Sequence, residues 1–310
     1  MNDKTNDNIN DNVNKKKKII NKIFIASIIS VVIFGAAFAY FAFDYFLWWR
    51  DGQAAAASTQ ETLEVFAEQM QDISEVVTAA VTTTHSRIMM PPPDFDHVAE
   101  HVAVIEMPTV LSAAPLLRER ERLDNPDIVA FMFIEGTSVN NVVVQGPDNS
   151  FYLYRDAARR SNVNGALFLD YRNSRLFDDK NTIIYGHNMN NGTMFHNLRY
   201  YMREDFFRAH PYITVVMEHQ VLIYEIFSVF QTNVDFDYIQ VDFGSTEEFG
   251  ALVDEITRRR AYNTGITATT DDSMLILSTC TNVTNDTRIV VAARLSTIVL
   301  LVDDDNNTDG

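Results

Sequence analysis

The sequence predicts a mostly β protein: a closed or nearly closed eight-stranded barrel with peripheral helices, preceded by an N-terminal transmembrane helix and a helical stalk. Three observations carry this. Beyond Asn125, eight short runs rich in β-branched and aromatic residues recur between turn residues, at 128–134, 141–145, 166–170, 182–186, 212–217, 221–230, 274–279 and 289–295. Two helical patches, near 193–208 and 245–260, interrupt them. At the other end of the chain, Ile23 to Phe43 is an uncharged run of 21 residues. As a helix rising about 1.5 Å per residue it spans roughly 31 Å, the thickness of a bilayer core.

The N-terminal segments follow from charge and periodicity. Residues 1–22 carry six Lys and three Asp, with almost nothing apolar before Ile19, and read as a disordered cytoplasmic tail. Lys15 to Lys18 and Lys22 stand before the apolar run, while Asp44, Tyr45, Trp48 and Trp49 follow it. The positive-inside rule then keeps the N-terminus cytoplasmic and puts the acidic remainder outside. A cleaved signal peptide is the alternative, since Ala54 to Ala57 offers small residues. Against it, the run exceeds a signal core of about 7–15 residues. After the anchor, assigned to 23–47, Ser58-Thr59-Gln60-Glu61 has the form of a capping box. Leu63, Phe66, Met70, Ile73 and Val77 then recur at steps of three and four, as on an amphipathic stalk helix. Pro91-Pro92-Pro93 breaks it into a linker. A second helical stretch, Leu111 to Leu123, has a mixed charge run that reads as a solvated face. Stalk and linker together occupy 48–124, and an acidic tail occupies 303–310.

Composition narrows the function. A net charge of −17 over 310 residues excludes a nucleic-acid partner, because phosphate binding needs a basic face. The single cysteine, Cys280, can form no intramolecular disulfide. A lone cysteine is more often a small buried apolar residue than a nucleophile, so its surroundings must decide.

Those surroundings point to acyl transfer. Leu275-Ile276-Leu277-Ser278-Thr279 is an apolar strand that delivers Cys280 at its end, before the polar loop Thr281 to Thr287. Arg288 then opens the next strand, and a hairpin would bring it near Cys280. Thr182-Ile183-Ile184-Tyr185-Gly186-His187 is a second strand ending in a polar residue at a turn. A thiolate is intrinsically nucleophilic. A histidine can protonate a leaving amine and deprotonate an incoming one. An arginine stays charged and can stabilise an oxyanion. Each residue also has a bland reading, as core filler, turn residue or surface ion pair. His97-Val98-Ala99-Glu100-His101 has the H-x-x-E-H form used by some zinc peptidases, but no third ligand is evident. His85, His196, His210 and His219 read as surface or packing residues.

From about Asn125 to Val302 the chain resembles the catalytic domain of class B sortases. The matching stretches are Asn125-Pro126-Asp127, Val143-Val144-Gln145-Gly146-Pro147-Asp148-Asn149, Leu167-Phe168-Leu169-Asp170-Tyr171-Arg172-Asn173, Tyr185-Gly186-His187-Asn188-Met189, Gly192-Thr193-Met194-Phe195, Leu277-Ser278-Thr279-Cys280 and Arg288-Ile289-Val290-Val291. One departure is Ile276, where the family usually has the Thr of Thr-Leu-x-Thr-Cys. The resemblance implies an eight-stranded sortase barrel and a triad of His187, Cys280 and Arg288. It also implies a substrate groove with Tyr185, Ser278 and Thr281, to which Asn149 and Leu153 add further positions. The implied reaction is cleavage of a C-terminal sorting motif after Thr, of the Asn-Pro-x-Thr type, in a secreted protein. Transfer to an amine of peptidoglycan or its lipid-linked precursor follows, without metal or organic cofactor. A pilin-joining enzyme with a lysine acceptor and a non-catalytic binding protein on the same scaffold are the alternatives.

Overall fold

The computed structural model describes residues 33–47, 49–50, 103–108, 114–233, 235–280 and 287–302, with the single positions 53, 57, 60 and 64. At 103–108, 114–115, 280 and 301–302 the backbone alone is described. The chain divides into two units, 1–51 and 52–310. In the first, 33–47 forms a helix, α1, with Phe34, Phe38, Phe41 and Phe43 exposed. Among the described residues no helix is long and apolar enough to cross a membrane. Residues 23–32, the first part of the expected anchor, lie outside the described residues. So do the tail 1–22, the expected stalk helix from Ser58 to Val77 apart from positions 60 and 64, Pro91 to Pro93, His97 to His101 and the tail 303–310.

The second unit is the barrel. Its elements are β1 (Ala103–Pro108), α2 (Ala114–Leu123), β2 (Ile128–Phe133), β3 (Asn140–Val144), β4 (Leu167–Leu169), β5 (Asn181–His187), a 3-10 helix (Phe195–Met202), α3 (Glu204–Ala209), β6 (Tyr212–Val216), β7 (Gln220–Thr232), α4 (Thr246–Arg259), β8 (Met274–Cys280) and β9 (Arg288–Val302). The strand order is β9-β7-β6-β2-β3-β4-β5-β8, and β8 pairs again with β9. Eight strands therefore close on themselves, one for each run expected from the sequence.

Strand β1 is a ninth, parallel to the second half of β9, from Ala103 opposite Thr297 to Pro108 opposite Val302. It takes the edge that β8 vacates, because the β8–β9 ladder uses β9 only up to Arg294. The sequence did not mark it: six residues with a glutamate and a closing proline lack the strand texture. A terminal proline is compatible with an edge strand. Both β1 and α2 lie within the 48–124 segment, yet β1 is hydrogen-bonded to the barrel and Leu116 of α2 is buried in one of its clusters.

The strands read as continuous apolar runs because both faces are covered. In β8, Leu275 and Leu277 enter the barrel interior, while Met274 and Ile276 face the cluster under α4. In β2, Ala130 and Met132 enter the interior, while Ile128, Phe131 and Phe133 join Leu116 outside. Helix α4 has its apolar stripe at Phe249, Leu252, Val253 and Ile256. Ser245 caps it by accepting from the Glu248 N–H at 3.3 Å, and Glu247 and Glu248 lie at its positive end.

Gly186 sits in β5 where no side chain fits. A Cβ there would stand 2.5 Å from Leu167 Cδ2 and 2.8 Å from Phe195 Cδ2. Overpacking of this kind typically costs about 1–3 kcal/mol. Gly186→Ala should therefore lower the melting temperature of the barrel by roughly 2–12 °C in a thermal unfolding scan. An unchanged melting temperature would mean that the β5 end has slack that this packing denies.

Candidate active site

Strands β5 and β8 run parallel and in register, from Asn181 opposite Met274 to His187 opposite Cys280. The last residues of both strands are thus direct backbone partners on adjacent strands, about 4.8 Å apart. Arg288 approaches from the other side. The β8–β9 ladder runs to Ser278 opposite Val290, two residues short of Cys280 on one strand and two short of Arg288 on the other. Thr279 Oγ1 extends the contact by accepting the Ile289 N–H at 3.1 Å. Arg288 also pairs with Thr232 of β7. The half-buried Arg288 has a buried Nη1 with no hydrogen-bond partner among the described residues. An orphaned buried donor is costly. At the end of the cysteine strand it is suited to meet negative charge that develops during a reaction.

His187 is 5% exposed. Its Nε2 lies 2.7 Å from the Leu153 carbonyl oxygen. A carbonyl only accepts, so Nε2 carries the proton and the neutral ring presents a bare Nδ1. That Nδ1 is buried and, among the described residues, has no hydrogen-bond partner. Burial pushes the imidazole pKa below its ordinary 6.5, and the bond to Leu153 offsets only part of this. The ring is therefore neutral at neutral pH, with Nδ1 free to take a proton.

The loop between β3 and β4 supplies that carbonyl. Tyr152, next to Leu153, is fully buried, donates its hydroxyl to Asp127 Oδ2 at 2.7 Å and accepts from Asn125 Nδ2 at 2.9 Å. Gly165 packs against the same carbonyl at φ +60°, and a Cβ there would come within 2.6 Å of Leu153 O. Only glycine combines that dihedral with that approach.

The expected groove residues fall into different surroundings. Tyr185 is partly buried and donates its hydroxyl to Asp170 Oδ2 at 2.9 Å. Asn149 donates to the same oxygen at 2.9 Å. Leu153 is half-buried, and its backbone holds His187. Ser278 is 1% exposed, with its hydroxyl 2.8 Å from that of Tyr238, so it lies beneath the 235–243 loop. Thr281 lies outside the described residues.

Asp170, which sequence reasoning gave no role, joins two of these residues. Its buried carboxylate accepts from Asn149, Tyr185, and the Arg172 backbone N–H, Nε and Nη2. Burial alone would raise its pKa, but the bonds from Arg172, Asn149 and Tyr185 outweigh this and hold it below 3.8. Arg172 also donates to the Ile239 carbonyl at 2.9 Å. A charged pair directly after the apolar Leu167–Leu169 was the signal that could have found it. Among the described residues, no three His, Cys, Asp or Glu side chains gather as a metal ion requires. A cavity of about 640 Å³ opens at the other end of the barrel, where Phe177, Asp178 and Ser273 precede β5 and β8.

The depressed pKa of His187 has a consequence for stability. An unfolded histidine takes its proton at a higher pH than the buried one. The contribution of the neutral imidazole is thus complete above pH 6.5 and is lost as pH falls through the lower folded value. His196, held down by burial and then by the charge of Arg199, has the same sign. Denaturant midpoints should therefore fall between about pH 7 and pH 5. His187→Gln should remove part of that slope and leave the His196 part. An identical slope in the variant would refute the assignment.

Comparison with known proteins agrees with this geometry. The Sortase domain family matches residues 132–296. Sortase B of Listeria monocytogenes is 37% identical over 167 residues, which are 53% of this chain and 66% of that protein, just under two thirds of its length. A Staphylococcus aureus sortase B–substrate complex superposes with a TM-score of 0.57 at 31% identity, covering 59% of this chain and 85% of the other. A sortase B complexed with triglycine also has a TM-score of 0.57 at 31% identity, covering 62% and 89%. The family match starts inside β2 and ends inside β9, so all eight barrel strands fall wholly or partly within it, with His187, Cys280 and Arg288. The chain belongs to the sortase family of cysteine transpeptidases, in its class B branch.

Proposed function

We propose that this chain is a membrane-anchored transpeptidase that cleaves a sorting motif of secreted proteins after Thr and passes the acyl group to a peptidoglycan amine. The observation that carries the reading is the register that makes His187 and Cys280 backbone partners, with Arg288 entering from the neighbouring strand. Cys280 sulfur attacks the Thr carbonyl carbon, and its thiol proton passes to His187 Nδ1. The Arg288 guanidinium donates to the oxyanion. The C–N bond then breaks, the amine leaves with the proton from His187, and a thioester remains. An acceptor amine attacks it, the C–S bond breaks, and Cys280 is restored. The motif is of the Asn-Pro-x-Thr type, and Tyr185, Asn149, Leu153, Ser278 and Thr281 form or support its groove. One similar protein was solved with substrate and another with triglycine, a peptide that ends in a primary amine. The reaction requires no metal or organic cofactor.

The anchor reading rests on the uncharged run Ile23 to Phe43, the lysines before it and the exposed phenylalanines of α1. Lipid contacts this helix, the N-terminus is cytoplasmic and the barrel lies outside. Protease added to intact protoplasts should digest the barrel and spare a small N-terminal fragment. A fully protected barrel would reverse the orientation.

Cys280→Ala should abolish cleavage of an Asn-Pro-x-Thr peptide and leave the melting curve intact. Arg288→Ala and Arg288→Lys should keep thiol reactivity at Cys280 but lose roughly 10²–10³ in turnover, since lysine lacks the planar fork of donors. Arg294 is the control on the same strand. It is paired with Glu225 at 3.0 Å and bonded to the Thr267 carbonyl, so Arg294→Ala should lose stability while turnover per folded molecule stays within a few-fold of wild type. Near-normal turnover in Arg288→Ala would remove the oxyanion role.

A further inference from the structure

Tyr154 is an exposed aromatic beside His187. Its ring centroid lies 5.8 Å from that of the imidazole, with the planes tilted by 36°, and the residue is 53% exposed. Its position is set by backbone: Leu153 before it holds His187 Nε2, and the Tyr154 carbonyl accepts the Asn162 N–H at 3.0 Å. Among the described residues its hydroxyl makes no hydrogen bond, so no polar anchor explains a large ring left in solvent at this place.

Other rings of the barrel unit already hold cations. The Arg155 guanidinium lies 4.5 Å from the Phe151 centroid and donates to the Phe151 carbonyl at 2.9 Å. Arg199 and Arg203 lie over Tyr200. Among the described residues no Arg or Lys lies over Tyr154. An aromatic face attracts an ammonium within roughly 6 Å of its centroid. The Tyr154 ring lies 5.8 Å from the imidazole, so a cation held within that radius stands beside His187.

We propose that Tyr154 is the seat of the acceptor's ammonium group, so that its ring gathers the second substrate and presents it to His187. This rests on the transpeptidase reading above. The ligand class is an unhindered primary amine in its protonated form. Such an amine must shed one proton to become a nucleophile and a second as the amide forms. His187 Nδ1 takes the first and releases it to solvent, and the second goes to the departing Cys280 sulfur. The C–N bond forms as the C–S bond breaks, and no further reactant is required. Water carries no charge and gains nothing from the ring, so Tyr154 favours transfer over hydrolysis. A purely structural role, as a cover over His187, would act on both alike.

The test uses the full chain in detergent with an Asn-Pro-x-Thr reporter peptide and triglycine as acceptor. Thioacyl-enzyme formation and hydrolysis are followed without acceptor, and transfer product is followed against triglycine concentration. Tyr154→Leu should raise the triglycine KM roughly 3- to 10-fold and shift products toward hydrolysis, while acceptor-free cleavage stays within about twofold. Tyr154→Phe, which keeps the aromatic face, should transfer like wild type. A wild-type triglycine KM in Tyr154→Leu would overturn the proposal, as would a Tyr154→Phe variant as impaired as Tyr154→Leu. Equal loss of cleavage and transfer in Tyr154→Leu would assign the ring to packing on His187 and overturn it too. If the wild type forms no thioacyl enzyme at all, the transpeptidase reading itself falls, and the acceptor seat with it.

Discussion

Strand β8 is hydrogen-bonded on both sides, parallel to β5 and antiparallel to β9, and the barrel and the site both depend on this. Without it the sheet would have two long unpaired edges, a standing invitation to pair with other chains. With it the barrel closes, and the ends of three strands meet at one rim. Register does the rest. A slip of one residue between β5 and β8 would set Cys280 against Gly186 or Asn188 and turn the apolar side chains of β8 to the wrong faces. The interior residues Leu275 and Leu277, and Met274 and Ile276 under α4, hold that register from both sides. The same burial that stabilises the barrel therefore fixes His187 opposite Cys280.

The site treats the buried Asp170 and His187 in opposite ways, and the difference lies in their partners. Asp170 keeps its charge in the interior because five donors surround it, three of them from Arg172. His187 is oriented by a neutral carbonyl instead. A carboxylate there would stabilise the imidazolium and raise the pKa, whereas the carbonyl fixes the tautomer and lets desolvation dominate. The result is a neutral ring whose Nδ1 carries no proton. The cost of placing that carbonyl is spread over a loop: Tyr152 locked to Asn125 and Asp127, Asn149 tied to Asp170, and Gly165 admitting the close approach.

Arg288 completes the contrast. Most arginines of the barrel are occupied: Arg172 by Asp170, Arg159 by Asp127 and Arg294 by Glu225. Arg288 keeps a buried Nη1 without a partner among the described residues. In a chain of net charge −17 carboxylates are plentiful, yet among the described residues none meets this nitrogen. Such local departures from full satisfaction collect at functional sites.

The sequence by itself determined the eight barrel strands, a helix near 245–260, and the three strand-end residues His187, Cys280 and Arg288. These rest on local signals: apolar runs bounded by turn residues, a helical patch between them, and polar residues abutting apolar strands. Resemblance then ordered them into a family. Strand β1 escaped because its place depends on an edge of β9 made free some two hundred residues later, which no local pattern records. The tautomer of His187 escaped for the same reason, since it depends on a backbone oxygen that any residue at position 153 would carry. Asp170 and Tyr154 were visible as letters but had no meaning until the loop was folded against β5. Ser278 was implied as a groove residue by the resemblance alone, and only the 235–243 loop decided that its hydroxyl meets Tyr238. Local pattern specifies which segments become strands because propensity and burial act over a few residues. Which atoms then meet at the rim is set by contacts between distant segments, and those exist only once the barrel has closed.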